Sequence, residues 1–324
     1  MTNSRTVSSK HMSRTQKIAN DIVVIDLNFD NTAQVDCAYL LLGPQPALVE
    51  TGPTATLENL LAGVWEAGLD PAALQAVAVT HIHLDHAGGA GALVQRFPHL
   101  RVYVHPIGAP HLIDPTKLVA SAGRLYGEDM GRLFGDVIPI PAVRVHAIAN
   151  GETVQLGARR LAALDTPGHA RHHHVYWDRT TGDLFTGDLA GVALPGSHYV
   201  RAPTPPPELD IPAWERSLEK VRSLRPKRLL LTHFGPHTAV DDILAQLDDS
   251  LHQNLHFVQS AMAAGEDEAT IIARAREDAL QAIARRDGQG ARARFEVIMP
   301  VRQSVLGLMR YIRKSEERAR EASG

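Results

Sequence analysis

The sequence predicts an α+β protein that ends in a helical appendage, and three observations carry that expectation. Short apolar runs alternate with helical stretches over roughly the first hundred residues. A strand-rich stretch follows, between about residues 143 and 232. Beyond about Ala239 the chain has helical periodicity, abundant Ala, Glu and Arg, and no strand pattern.

The opening stretch, MTNSRTVSSKHMSRTQ, is polar and basic with no apolar centre, so residues 1–20 are expected to be a flexible leader rather than a signal peptide. Residues 22–27, 36–42 and 46–50 are short β-type runs divided by turn formers such as Asn31 and Gly43-Pro44. Leu57, Leu60, Leu61 and Val64 carry a helical spacing that Gly68 ends. A buried strand at 76–79 delivers the chain into His81, and residues 90–97 read as helix and 102–104 as strand. Residues 106–135 read as short helices and loops. Strands are expected at 143–148, 160–164, 174–177, 183–186 and 229–232, with an amphipathic helix at 214–224 that turns Leu218 and Val221 inward. Three helical segments follow, near 239–264, 267–286 and 290–318. The expected units are therefore a main domain over 21–238 and a helical extension over 239–324.

Composition narrows the function. Hydrophobic residues make up 44% of the 324 and charged residues 21%, an ordinary globular balance with no run of 18 apolar residues to span a bilayer. A net charge of −3 gives no electrostatic reason to expect nucleic acid or an anionic membrane as partner. The lone Cys37 cannot form an internal disulfide, which fits a reducing cytoplasm. The 17 histidines are many for this length, and they cluster, which points to metal.

The densest cluster is Thr80-His81-Ile82-His83-Leu84-Asp85-His86-Ala87-Gly88-Gly89. In an extended segment alternate side chains share a face, so His81, His83 and Asp85 are expected to converge while Ile82 and Leu84 enter the core. His86 then needs a bend, for which the two glycines supply backbone freedom. Three further ligand-type residues follow apolar runs: His169 after 161–164, Asp188 after 183–186, and His233 after 229–232. Imidazole and carboxylate at strand ends are how a rigid sheet presents ligands for zinc, iron or manganese to a shared cleft.

These residues resemble the motifs of the metallo-β-lactamase superfamily, in order: Glu50-Thr51-Gly52, the His81–His86 block, His169, Asp188 and His233, over roughly residues 20–238. The resemblance implies an αββα sandwich with two divalent ions, most simply zinc, at one edge. It implies one ion on His81, His83 and His169, a second on Asp85, His86 and His233, and Asp188 bridging both. Glu50 stands where that family usually has aspartate, and is expected to orient the histidine loop from behind. The implied chemistry is hydrolysis of a small ester, thioester or lactone by a hydroxide shared between the ions, with Asp85 orienting the nucleophile or taking its proton. No G-x-S-x-G element offers a serine nucleophile instead.

Two rival readings share the motif: a single-iron persulfide dioxygenase, and a nucleic-acid-processing hydrolase, which the acidic balance disfavours. A true β-lactamase is disfavoured by the absence of a secretory pattern. Of His172, His173 and His174, one is expected behind the ligands, and His172 is the choice. Tyr199, Arg201 and His237 are candidates to touch substrate. In the last helix Val305, Leu308, Met309 and Ile312 form a stripe expected to cover the cleft or to pair two copies as a homodimer.

Overall fold

The computed structural model describes residues 14–197, 199–288, 291–298 and 300–323. One sheet runs in sequence order through β1 (Thr15–Ala19), β2 (Ile22–Asp26), β3 (Cys37–Leu41), β4 (Ala47–Val49), β5 (Ala76–Ala78), β6 (Arg101–Val104) and β7 (Val145–Ala147). The second comprises β8 (Thr153–Leu156), β9 (Arg159–Asp165), β10 (His174–Asp178), β11 (Asp183–Gly187), β12 (Arg228–Leu231) and β13 (Gly235–His237), in the order 13-12-11-10-9-8. Residues 1–13 of the expected leader lie outside the described residues, but its last part is not a leader. Residues 15–19 pair antiparallel with β2 as an edge strand whose mixed polarity hides it from a hydropathy reading.

Period-two alternation builds the layers. Ile22, Val24, Tyr39 and Leu41 point between the sheets, where they meet Leu161, Ala163, Tyr176 and Phe185. Their neighbours Val23, Ile25 and Leu40 point the other way, onto α1 (Leu57–Glu66) and the helices that follow, α2 (Leu84–Ala87) and α3 (Ala90–Arg96). On the second sheet, Ala162, Leu164, Val175 and Trp177 face outward onto a helical layer. Between the two halves come α4 (Ala109–Ile113), α5 (Thr116–Tyr126) and α6 (Met130–Phe134). The architecture is thus helix, sheet, sheet, helix.

The outer layer on the second sheet consists of α7 (Ile211–Leu224), α8 (Val240–Ala263), α9 (Glu268–Asp287), α10 (Ala291–Ile298) and α11 (Val301–Ser323). The third expected helical segment is two helices, because Pro300 has no amide hydrogen and its ring crowds the preceding turn. The stripe Val305, Leu308, Met309 and Ile312 is buried in one cluster with Trp214, Leu218 and Leu251. That stripe is consumed within the chain, so it offers no apolar face to a second copy.

Helix α11 sits tightly on the loop after β11. A Cβ at Gly307 would lie 1.9 Å from the Thr204 carbonyl oxygen, and the Thr204 hydroxyl donates to the Ser304 carbonyl at 3.1 Å. Gly307→Val is therefore expected to lift α11 and cost about 1–3 kcal/mol through overpacking. A thermal melt checks this, and an unchanged midpoint would show that the loop yields freely.

Candidate metal centre

All the ligand-type residues leave one edge of the sandwich because their strands run the same way. Strands β4 and β5 are parallel, β11 and β12 are parallel, and β9 runs with β11 because each is antiparallel to β10. Glu50 follows β4, His81 and His83 follow β5, His169 follows β9, Asp188 follows β11, and His233 follows β12.

The histidine block turns earlier than an extended reading expects. His83 is the last extended residue (φ −60°, ψ 151°), and Leu84–Ala87 make a single helical turn. Asp85 therefore shares a helical turn with His86 rather than a strand face with His81, and it still reaches the same cleft. Gly187 has φ +50°, and a Cβ there would lie 2.3 Å from the Thr80 hydroxyl. Only glycine lets the β11 end approach the histidine loop closely enough to bring Asp188 in.

Two groups of donors result. His81, His83, His169 and Asp188 form one, and Asp85, His86 and His233 the other; within each group the donor atoms lie within 4.8 Å of one another. His83 Nδ1 is 2.9 Å from both His81 Nε2 and His169 Nε2. Asp188 faces both groups. Its Oδ2 is 3.2 Å from His169 Nε2, while Oδ1 is 3.2 Å from His86 Nε2 and 3.3 Å from His233 Nε2.

The donor set fits divalent cations. Burial drives His81 and His83 well below the usual imidazole range, which leaves them neutral and able to donate a lone pair. Burial would do the same to His86 and His233. Asp188 and the other surrounding carboxylates overcome it, raising His86 and lifting His233 to about 9. The second group is thus an anionic hole that seeks positive charge. The buried Oδ1 of Asp188 lies between the His86 and His233 imidazoles without a well-directed hydrogen bond among the described residues, a position suited to a cation.

Behind the ligands the two groups differ. His81 Nδ1 meets the Thr80 hydroxyl at 3.1 Å, and His169 Nδ1 donates to the Pro203 carbonyl at 2.9 Å. Behind the second group a carboxylate backs His86, while His233 Nδ1 donates to the Val35 carbonyl at 3.1 Å. Glu50 Oε1 lies 3.2 Å from His86 Nδ1 and accepts from the Thr80 hydroxyl at 2.5 Å. Asp36, fully buried, lies 3.7 Å from His233 Nδ1. Glu50 thus touches the histidine loop at both Thr80 and His86.

Other sequence expectations need correction. His172 stacks on His81 (centroids 6.1 Å, interplanar 13°) and its Nε2 is 3.4 Å from Glu208, so it lines the cleft without hydrogen-bonding a ligand. The histidine behind a ligand is His173, whose Nε2 accepts from the Asp188 amide at 3.3 Å while its Nδ1 meets the Thr166 hydroxyl at 2.9 Å. Tyr199 is packed against Phe295 with its ring beneath the Arg286 guanidinium, and so is taken up by the C-terminal helices. Arg201 is buried beside Leu280, Ile283 and Phe295. His237 donates to the Ala193 and Phe234 carbonyls. None of these three lines the metal cleft.

The cleft itself is a cavity of about 470 Å³ with Asp85, Asp188 and His233 at its floor. One wall comes from α5 and α6, with Leu118, Leu125, Tyr126 and Phe134, and another from Pro205, Pro206 and Ile298. Tyr126 was missed in the sequence; the only available signal was the helical spacing of Leu118, Ala122, Leu125 and Tyr126. Burial, with Asp85 and Asp188 nearby, pushes its phenol well up, so it remains a proton donor facing the cleft.

Comparison with known proteins agrees with this geometry. The sequence profile of the metallo-beta-lactamase superfamily matches residues 33–233, and the chain belongs to that superfamily. It is 33% identical over 150 residues to a hydroxyacylglutathione hydrolase from Synechococcus sp. (strain JA-2-3B'a(2-13)), spanning 46% of this chain and 47% of that one. It is 33% identical over 167 residues to a metallo-beta-lactamase fold-containing protein of Sulfurisphaera tokodaii, spanning 50% and 61%. The matches therefore span about half the length of these curated relatives. Among solved structures, a metallo-beta-lactamase family protein from Thermus thermophilus superposes with TM-score 0.66 at 21% identity, over 93% of this chain and 95% of that one. That overlap takes in the C-terminal helices as part of a shared fold.

Proposed function

We propose that this chain is a metal-dependent hydrolase with two divalent ions, acting on a small ester, thioester or lactone. The observation that carries the reading is the pair of buried donor groups sharing Asp188 at the floor of an open cleft. The hydroxyacylglutathione hydrolase names of the relatives support the same reaction class. His81, His83 and His169 would hold one ion, Asp85, His86 and His233 the other, with Asp188 between them. Zinc, or iron or manganese on the same ligands, would supply Lewis acidity and a more acidic water when bound.

The chain's own residues account for the rest. Asp85 is the most exposed carboxylate of the set, with Oδ2 3.6 Å from His233 Nε2, and can orient a water or accept its proton. Tyr126 can donate to the oxygen of the scissile group from the opposite wall. The apolar faces of α5 and α6 hold the acyl part and exclude bulk water. In the net reaction the oxygen of water bonds to the acyl carbon and the bond to the leaving oxygen or sulfur breaks. The leaving atom takes a proton.

The test is elemental analysis and a panel of aryl esters, thioesters, lactones and phosphodiesters on the same metal-replete sample. Close to two divalent ions per chain with hydrolysis of an acyl substrate is expected. A single iron with persulfide oxidation and no hydrolysis would instead establish the dioxygenase reading, and metal-free protein would sink both.

A further inference from the structure

A second cavity, of about 600 Å³, adjoins the metal cleft and shares Pro207, Glu208 and Arg310 with it. It lies between the loop before α7 and the outer face of α11, and it is lined by four cations: Arg171, Arg310, Lys314 and Arg318. None of the four is in an ion pair among the described residues, although the chain as a whole is acidic. The two carboxylates lining the groove are already engaged. Glu208 accepts from the Arg171 amide at 3.2 Å and lies beside His172, and Asp210 caps α7 by accepting from the Ala213 amide at 3.0 Å. Two more cations with no ion pair among the described residues, Lys117 and Arg124, stand on the far side of the cleft. Unpaired positive charge is thus gathered at the mouth and along one exit from it.

We propose that the groove receives the phosphate-bearing half of an acyl carrier, a leaving group with two or more phosphates joined to its acyl chain through a thioester. This rests on the hydrolase reading above. The acyl chain lies along the apolar α5 wall, the thioester stands over Asp85 and Asp188, and the carrier runs past Arg310 to Lys314 and Arg318. Water adds its oxygen to the acyl carbon, the carbon–sulfur bond breaks, and sulfur takes a proton; the acid and the carrier thiol leave, and no oxidant is needed. Guanidinium forks match phosphate oxygens in pairs, and three of the four groove cations are arginines. A tripeptide thiol, whose carboxylates are partly offset by its own ammonium, would leave much of this charge unmatched. Nucleic acid is disfavoured because the cations sit in a cavity beside α11 rather than along an extended face.

The experiment uses metal-replete full-length protein. Calorimetry with adenosine diphosphate and with glutathione reads the groove without any turnover. Octanoyl-coenzyme A and S-octanoyl-N-acetylcysteamine, which share the thioester but differ in phosphates, then read its effect on catalysis. Adenosine diphosphate is expected to bind, to weaken with salt, and to lose roughly tenfold in affinity in Lys314→Gln/Arg318→Gln, while glutathione binds more weakly. The preference for the phosphate-bearing thioester in kcat/KM should fall by a similar factor in that variant. Both side chains are exposed and have no ion pair among the described residues, so folding should survive, and a thermal melt checks it; Arg171→Gln provides a second variant. If the phosphate-free thioester is hydrolysed but adenosine diphosphate does not bind, or binds the variant equally well, the groove proposal falls and the hydrolase stands. If the nucleotide binds through these cations yet no acyl substrate is cleaved, the hydrolase reading falls and with it the carrier. Tighter binding of a single-stranded DNA oligonucleotide than of the nucleotide would overturn the carrier as well.

Discussion

Replacing Asp188 with alanine is expected to empty both donor groups of metal and abolish turnover together. Its two oxygens face different groups, one toward His169 and the other toward His86 and His233, at 3.2–3.3 Å. Burial alone would raise this carboxyl, but the imidazoles around it hold it well below the carboxylate range, so it is a fixed negative charge between the two donor groups. Losing a group that merely backs a metal ligand costs roughly 10–100-fold in affinity or activity. Losing a carboxylate that faces both sites should exceed that. His233→Ala, by contrast, should release mainly the ion held with Asp85 and His86. Metal content of both variants, measured beside kcat/KM, separates the cases. If Asp188→Ala keeps two ions and normal activity, the bridging role is wrong.

The candidate ligands stand out in the sequence because each follows an apolar run, and short strands announce themselves by composition. His81, His83, His169, Asp188 and His233 each come within a few residues after the end of β5, β9, β11 or β12. What surrounds them was not legible, for a physical reason. Asp36, His173 and Tyr126 gain their roles only when β3, β10 and α5 are brought to the same edge, and no local spacing encodes that. Tyr199 and Arg201 were misread because a loop position after Asp188 says nothing of which helices close over it; α9 and α10 take both into their packing. A net charge of −3 likewise concealed a groove lined by four cations, since a sum over the chain carries no position. Strand β1 was lost because its outward residues are polar and its partner lies across a tight turn.

Arg159→Met is expected to cost about 3–5 kcal/mol at neutral pH, the penalty for leaving the buried Asp178 carboxylate without its cation. Arg159 clasps Asp21 through two parallel bonds of 2.7 and 2.8 Å and reaches Asp178 and Asp183, each at 2.8 Å. Asp21 sits in the β1–β2 turn and the other two at the facing ends of β10 and β11, so one guanidinium pins the two sheets together at the end opposite the candidate metal centre. Arg228 reinforces it, bonding Asp183 at 2.8 and 2.9 Å and the Ile18 carbonyl at 3.0 Å. Removing Arg159 leaves Asp178, 3% exposed, without a cation. The hydrogen bond from Arg159 lowers the Asp21 carboxyl; burial would raise Asp183, but its bonds to Arg228 and Thr181 carry it below the usual value. Groups depressed in the folded state stabilise it above their unfolded pKa, about 3.9 for aspartate, and lose that contribution as pH falls through their folded values. The wild type should therefore lose stability below about pH 4. In Arg159→Met that acid-side loss should be shallower, because protonation removes the stranded charge, and the gap between the two proteins should narrow. Urea unfolding at neutral pH and at pH values below the aspartate range measures both effects. Equal midpoints at neutral pH would show that the cluster contributes nothing to holding the sheets together.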